Sequence, residues 1–211
     1  MMAQTFLDDF DRQVQTLLAK GYPALAGMTV EAFTERLAPL RSTLEGLALP
    51  SGDELVPFVL VIPRSWVSLE AAMPLLTLKE RAGFIDFKPG GLETFRPLPD
   101  LDVPEEEPYL ALGLETGSEY RNVTPDDALA AIRARERSPL TLEEGIALLT
   151  QFPEKLKKNH CFSLAGSRSG DRRVPALWIS QNHPKLGWCW AGNPHTWLGT
   201  AFCAGRAHGE V

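Results

Sequence analysis

The residues able to do chemistry crowd into one stretch, Asn159 to Gly199. It holds three of the four histidines, two of the three cysteines and four of the five tryptophans. A cysteine nucleophile needs a thiolate helped by a nearby base. Cys161 and His195 are the pair to weigh for that role, with His160 as a second imidazole and Asn159 or Asn193 as an orienting amide. No local signature of a cysteine hydrolase accompanies them. His160, Cys161, Cys189, His195 and Cys203 could also be drawn as a zinc site. Zinc asks for four N or S ligands, usually offered as close pairs. The only close pair here is adjacent, and neighbours on a strand point to opposite faces. Buried apolar cysteine is the plainer expectation for Cys161 and Cys189; neither a metal nor a cofactor is expected.

Two other groupings suit binding. The loop Arg168-Ser169-Gly170-Asp171-Arg172-Arg173 offers planar guanidinium donors for phosphate or carboxylate beside a glycine that permits close approach. The plainer reading is an exposed hairpin loop in which Asp171 pairs with an arginine. Trp188 and Trp190, two apart, share one face of a strand. With Trp197 they can stack on a flat ring, a sugar or a partner's side chain, or they belong to the core. Trp178 and Ser180 share a face by the same spacing. The ligand-binding candidates are therefore Arg168, Asp171, Arg172, Trp188, Trp190, Asn193, His195 and Trp197. The phosphate-cradling loops GxxxxGK[ST] and GxGxxG are absent, as is HExxH. Gly166-Ser167-Arg168-Ser169-Gly170 carries arginine where a nucleophile elbow carries serine.

The elements that must position these residues follow from periodicity and breakers. Phe6, Leu7, Phe10, Val14, Leu17 and Leu18 recur at helical spacing, ended by Gly21. Thr29 caps a second helix with the stripe Phe33, Leu37, Leu40, Leu44 and Leu47, which Pro39 should end or kink. Phe58–Ile62, between prolines, is a strand buried on both faces. A short helix from Ser68 to Leu76 and a strand at Phe84–Phe87 follow. The segment from Lys88 to Pro108 is a long loop with five acids between Asp100 and Glu107. Tyr109–Leu114 is a second buried strand. Thr124-Pro125 opens one helix and the capping box Thr141–Glu144 opens another, stopped by Pro153. Beyond Lys158, Phe162–Ser167 and Val174–Ser180 form a hairpin. Asn182-His183-Pro184 then turns into a strand at Lys185–Trp190, and Trp197–Cys203 is a last strand.

The expected fold class is α+β. Helices cover a mixed or antiparallel sheet, and a C-terminal antiparallel β-meander completes one domain over residues 1–211. That domain has a helix-rich part at 1–55, a strand and helix part at 56–158 and a β-rich part at 159–205. Apolar residues make up 44% of the 211 and charged residues 23%, enough apolar content for a sizeable core. No apolar run reaches a membrane span and the N-terminus lacks a signal-peptide core, so a reduced, cytoplasmic setting and no membrane partner are expected. The net charge of −6 hides an asymmetry: residues 1–150 hold 13 Lys+Arg and 24 Asp+Glu, whereas residues 151–211 hold 8 and 3. The acidic balance disfavours nucleic acid as a partner. The positive end either receives a small anion or docks against the acidic part.

Longer phrases carry a resemblance over nearly the whole chain. AKGYPALAG, VPFVLVIP, NVTPDDALAAIRAR, PLTLEEGIALLTQFP, KNHCFSLAGSRSGDRRVPALWIS and KLGWCWAGNPHTWLG resemble the bacterial family called domain of unknown function 5701. The resemblance implies a single bacterial cytoplasmic module and supplies no catalytic residues. The functional expectation is a binding module for a small polar or anionic ligand. The alternatives are a protein-interaction protein using the acidic loop and the helical hairpin, or an enzyme using a Cys/His pair.

Overall fold

Two sheets share one apolar core beneath four main helices. The computed structural model describes residues 2–50, 52, 54–87 and 91–209. Helix α1 (Met2–Ala19) packs on helix α2 (Val30–Glu45), the pair burying Phe10, Val14, Leu17, Phe33, Leu37, Leu40 and Leu44. Thr29 caps α2 by accepting from the Ala32 amide at 3.2 Å. Pro39, expected to end or kink α2, does not end it, and the helix runs on to Glu45. Proline inside a helix costs about 3 kcal/mol. Leu40 and Leu44 beyond it are both buried, each worth about 1.5–3 kcal/mol. Packing therefore outweighs the lost hydrogen bond.

Strand β1 (Val56–Val61) lies at one edge of a three-stranded antiparallel sheet. Its outer edge is closed by a side chain instead of a strand. The fully buried Gln13 amide donates to the Phe58 carbonyl at 3.2 Å and accepts from the Leu60 amide at 2.8 Å. A glutamine offers one acceptor and two donors, so Gln13 supplies the ladder bonds a neighbouring strand would make. Its own backbone carbonyl accepts from Gln151 at 3.1 Å.

The short strand β2 (Phe84–Ile85) precedes β3 (Tyr109–Leu114), the centre of the three-stranded sheet. Residues 88–90 of the long loop lie outside the described residues. The acidic part of that loop is fastened to the chain. Arg36 pairs with Glu107 and Arg133 with Asp100, while Ser65 and Trp66 donate to the backbone carbonyls of Glu105 and Glu106 at 2.9 Å.

Helix α3 (Pro125–Ala134) begins at Thr124, whose hydroxyl accepts from the Asp127 amide. Helix α4 (Leu142–Gln151) begins with a complete capping box between Thr141 and Glu144. Glu144, with no exposed surface, does more than cap. It takes both forks of Arg206 at 2.6 and 2.9 Å and a hydrogen bond from the Tyr109 hydroxyl at 3.1 Å.

Strands β4 (Cys161–Ser163), β5 (Arg173–Ser180) and β6 (His183–Trp190) form the antiparallel meander. Strand β7 (Leu198–Thr200) adds parallel to β4, and β2 adds parallel to β6, making a mixed five-stranded sheet. The β5–β6 turn is Gln181-Asn182, not the expected Asn182-His183-Pro184, because His183 already pairs with Ser180. Beyond Phe202, β8 (Gly205–His208) crosses back to pair with β3, so Arg206 reaches Glu144 from the chain's far end.

Two substitutions test these anchors by urea unfolding. Gln13→Leu strands the Leu60 N–H and the Phe58 carbonyl, and is expected to cost about 1–3 kcal/mol for each group left without a partner. Glu144→Gln leaves the Arg206 charge buried and unbalanced, and is expected to cost about 3–5 kcal/mol. Losses below about 1 kcal/mol would show that neither group anchors the sheet.

Candidate functional site

Two turn tips and one sheet face build a cleft that gathers aromatic and amide side chains. Lys157 and His160 bridge across a tight turn that sets Asn159 at φ 62°. The two-residue β5–β6 turn sets Gln181 at φ 51° and Asn182 at φ 65°. Two-residue hairpin turns of this hand need positive φ at both positions; asparagine tolerates it well, glutamine less so. Between these tips lies a cleft of about 480 Å³ lined by Lys158, Asn159, Cys161, Trp178, Ile179, Gln181, Asn182 and Trp197. Trp178 and Trp197 meet edge to face, with ring centroids 6.1 Å apart and planes at 64°. His195 backs Trp197 at 5.4 Å. Lys185, salt-bridged to Asp86, holds its ammonium 5.2 Å from the Trp178 ring centre.

Trp178 owes its position to Gly187 on the neighbouring strand. A Cβ there would stand 2.2 Å from the indole Cη2, so any larger residue displaces the ring. Among the described residues, the side-chain amides of Asn159, Gln181 and Asn182 make no protein hydrogen bond, and Lys158 has no ionic partner. Four other cations of the C-terminal part are paired: Arg168 with Asp126, Arg173 with Asp171, Lys185 with Asp86 and Arg206 with Glu144. Three of these four pairs cross from the basic part of the chain to the acidic part.

The candidates read from the sequence divide between two faces. Strand alternation sends Trp188 and Trp190 to the face opposite Trp178 and Lys185. There they pack against each other at 4.8 Å, and the Arg173 guanidinium lies 5.7 Å from the Trp188 ring. Trp190 is 47% exposed. Trp197 and His195 stand on the cleft side with Trp178. Arg168 donates to Asp126 at 3.0 Å, and its second terminal nitrogen is buried without a partner. Burial lowers its pKa, against the pull of Asp126. Asp171 accepts from Ser169, from the Arg173 amide and from the Arg173 side chain, so it closes its own loop. Those bonds, that from Ser169 foremost, hold its carboxyl below the usual range. Arg172 lies against Gly192, and Asn193 is exposed in the following turn.

His160 and Cys161 line different depressions. His160 faces a space of about 320 Å³ with Glu54, Glu119 and Lys157, its Nδ1 3.3 Å from the Ser118 hydroxyl. The Cys161 thiol donates to the Lys157 carbonyl at 3.5 Å. Burial raises its pKa, so the proton stays on sulfur. Among the described residues no three His, Cys, Asp or Glu side chains gather as a metal would need. A second buried pair, Arg64 with Glu143, leaves Arg64 Nη2 and Glu143 Oε2 without partners. The void beside it is about 20 Å³, room for a water and not for a ligand.

Sequence reasoning missed Lys158, Gln181 and Asn182 as lining residues and gave Trp178 no role. The signal was present in the spacing. Trp178 lies three residues before a two-residue turn, its direct partner on β6 is Lys185, and Gly187 two positions further on leaves room for the indole.

The fold and cleft together define an α+β protein with an aromatic, amide-rimmed cleft at the end of a mixed sheet. The chain belongs to the family of unknown function DUF5701, whose model matches residues 16–209. No curated protein and no solved structure matches it. Among the described residues no helix is long and apolar enough to cross a membrane.

Burial raises the Cys189 and Cys203 thiols from about 9 to about 12. In the unfolded chain these thiols ionise near pH 9, while the folded protein keeps their protons. Their contribution is fully present below pH 9 and declines as pH rises towards 12, by about 1.4 kcal/mol per unit for each thiol. Urea unfolding between pH 8.5 and 10.5 should show this slope, and Cys203→Ala should remove about one thiol's share. A pH dependence identical in the variant would contradict the assignment.

Proposed function

We propose that this protein is a binding module for a small polar ligand, which it holds in the cleft between the 158–159 and 181–182 turns. One observation carries the reading. Two indoles, three amides that no protein group engages and an unpaired lysine converge on the same cleft of about 480 Å³. Ligand sites combine an apolar, aromatic floor with a few polar groups that fix orientation. Here the floor is Trp178 and Trp197 and the polar groups stand on turn tips. The raised thiol pKa of Cys161 favours binding over nucleophilic chemistry at this place. A reduced, cytoplasmic setting fits three free thiols, all buried.

A metabolite library screened by tryptophan fluorescence and melting temperature tests the proposal. Binding at 100 times Kd stabilises by about 2.7 kcal/mol. For a chain of this size that is a shift of about 5–10 °C. Trp178→Ala should melt cooperatively and lose the shift. A library without a single responding compound, or a response that survives both Trp178→Ala and Trp197→Ala, would remove the cleft as the site.

A further inference from the structure

We infer that the ligand of this cleft is a carbohydrate with a neutral or acidic ring; the inference rests on the binding role proposed above. Three features of the lining select it. The first is charge. Among the described residues no carboxylate lines the cleft, Lys158 is its one cation, and Lys158 has no ionic partner. The Trp178 ring, which would attract a ligand cation, already faces the Lys185 ammonium at 5.2 Å. A cationic ligand therefore finds no carboxylate in the lining and meets the unpaired Lys158 ammonium, whereas a neutral ring is indifferent to that charge and a uronate is drawn to it.

The second feature is the angle between the walls. Planar heteroaromatic ligands gain most from parallel faces on either side. Trp178 and Trp197 stand at 64°, forming a corner. A saturated pyranose has C–H bonds on its faces and its rim, so it can touch one indole with a face and the other with an edge. The third is the division of polarity. The apolar groups form the floor and the amides of Asn159, Gln181 and Asn182 form the rim, all three residues being exposed. Each primary amide offers both donors and an acceptor. Vicinal hydroxyls offer the same mixture, and a pyranose presents them around an apolar ring face. A cleft with an indole floor and an amide rim complements that distribution.

The positive φ values of Asn159, Gln181 and Asn182 provide clean variants. Glycine adopts these conformations without strain, so Asn182→Gly and Asn159→Gly remove an amide and leave the turn intact. The full-length protein, fluorescently labelled, would be applied to an array of neutral and uronic-acid oligosaccharides. Retained glycans would then be titrated in solution against tryptophan emission, with adenosine and choline as non-sugar probes. At least one glycan should bind saturably, with Kd at least ten-fold weaker in Asn182→Gly and binding lost in Trp178→Ala. Gly187→Ala, which pushes the indole off its strand, should weaken binding without creating a new contact to the sugar. If no glycan is retained above the Trp178→Ala background while adenosine, choline or a library compound binds, the carbohydrate assignment is overturned and the cleft reading stands. If nothing binds in either experiment, both fall. Glycan binding that is indifferent to Trp178→Ala and Asn182→Gly would place the sugar elsewhere and also overturn the assignment.

Discussion

Glu144 is buried with no exposed surface, and a lone carboxylate there would be untenable. It is tolerated because every direction around it is answered. The Thr141 amide donates to one oxygen at 2.8 Å, the Tyr109 hydroxyl donates to the other, and Arg206 forks across both. Arg206 in turn donates to Ser138 and to the Pro139 carbonyl. Burial works against the guanidinium charge, but Glu144 overrides it and raises the Arg206 pKa. These contacts join the start of α4, the centre of the three-stranded sheet and the last strand of the chain. The core can form around this pair only when residues 109, 141, 144 and 206 are all in place. A pair of this kind contributes less to net stability than it does to choosing one arrangement of the chain, since an apolar replacement of similar shape can be as stable.

The cleft depends on that arrangement at one remove. Once β8 is drawn back to β3, the segment just before it, with Phe202 and Cys203, lies against Ser138 and Pro139. Strand β7 is thereby held beside β4, with the Cys161 amide donating to the Trp197 carbonyl at 3.1 Å. Trp197 is fixed by backbone pairing and Trp178 by the absence of a side chain at Gly187. The two rings therefore keep their edge-to-face contact, and the corner they form faces the cleft.

The helices and the two buried strands were legible because their signals are local. Thr29, Thr124 and the Thr141–Glu144 box mark helix starts through bonds made within four residues. Tyr109–Leu114 stands out as an unbroken apolar run, and the strand falls on those residues. Pro39 left the helix end open, because its cost is local while the compensation, burial of Leu40 and Leu44, is tertiary. The return of β8 to β3 was not legible at all, because Gly205–His208 is short and owes its place to partners nearly a hundred residues away. The β5–β6 register shifted for a related reason. Asn182-His183-Pro184 has turn composition, but pairing with β5 carries strand geometry through His183 and Pro184 and confines the turn to Gln181-Asn182.

That shift of register matters for the site more than for the fold. It settles which residues stand on the turn tip, and so places two amides at the cleft instead of an imidazole and a proline. Alternation along β6 then decides which tryptophans share a space. Trp188 and Trp190, the pair most conspicuous in the sequence, project to the other face, with Arg173 beside Trp188. Trp178 and Trp197 are nineteen positions apart and show no common pattern, yet strand pairing brings their rings to 6.1 Å. Residue types announced a concentration of aromatics; only the pairing of β4, β5, β6 and β7 could say which of them share a cleft. The charge around those rings, Lys158 in the lining and Lys185 paired with Asp86 beside Trp178, was equally invisible until the turns were placed.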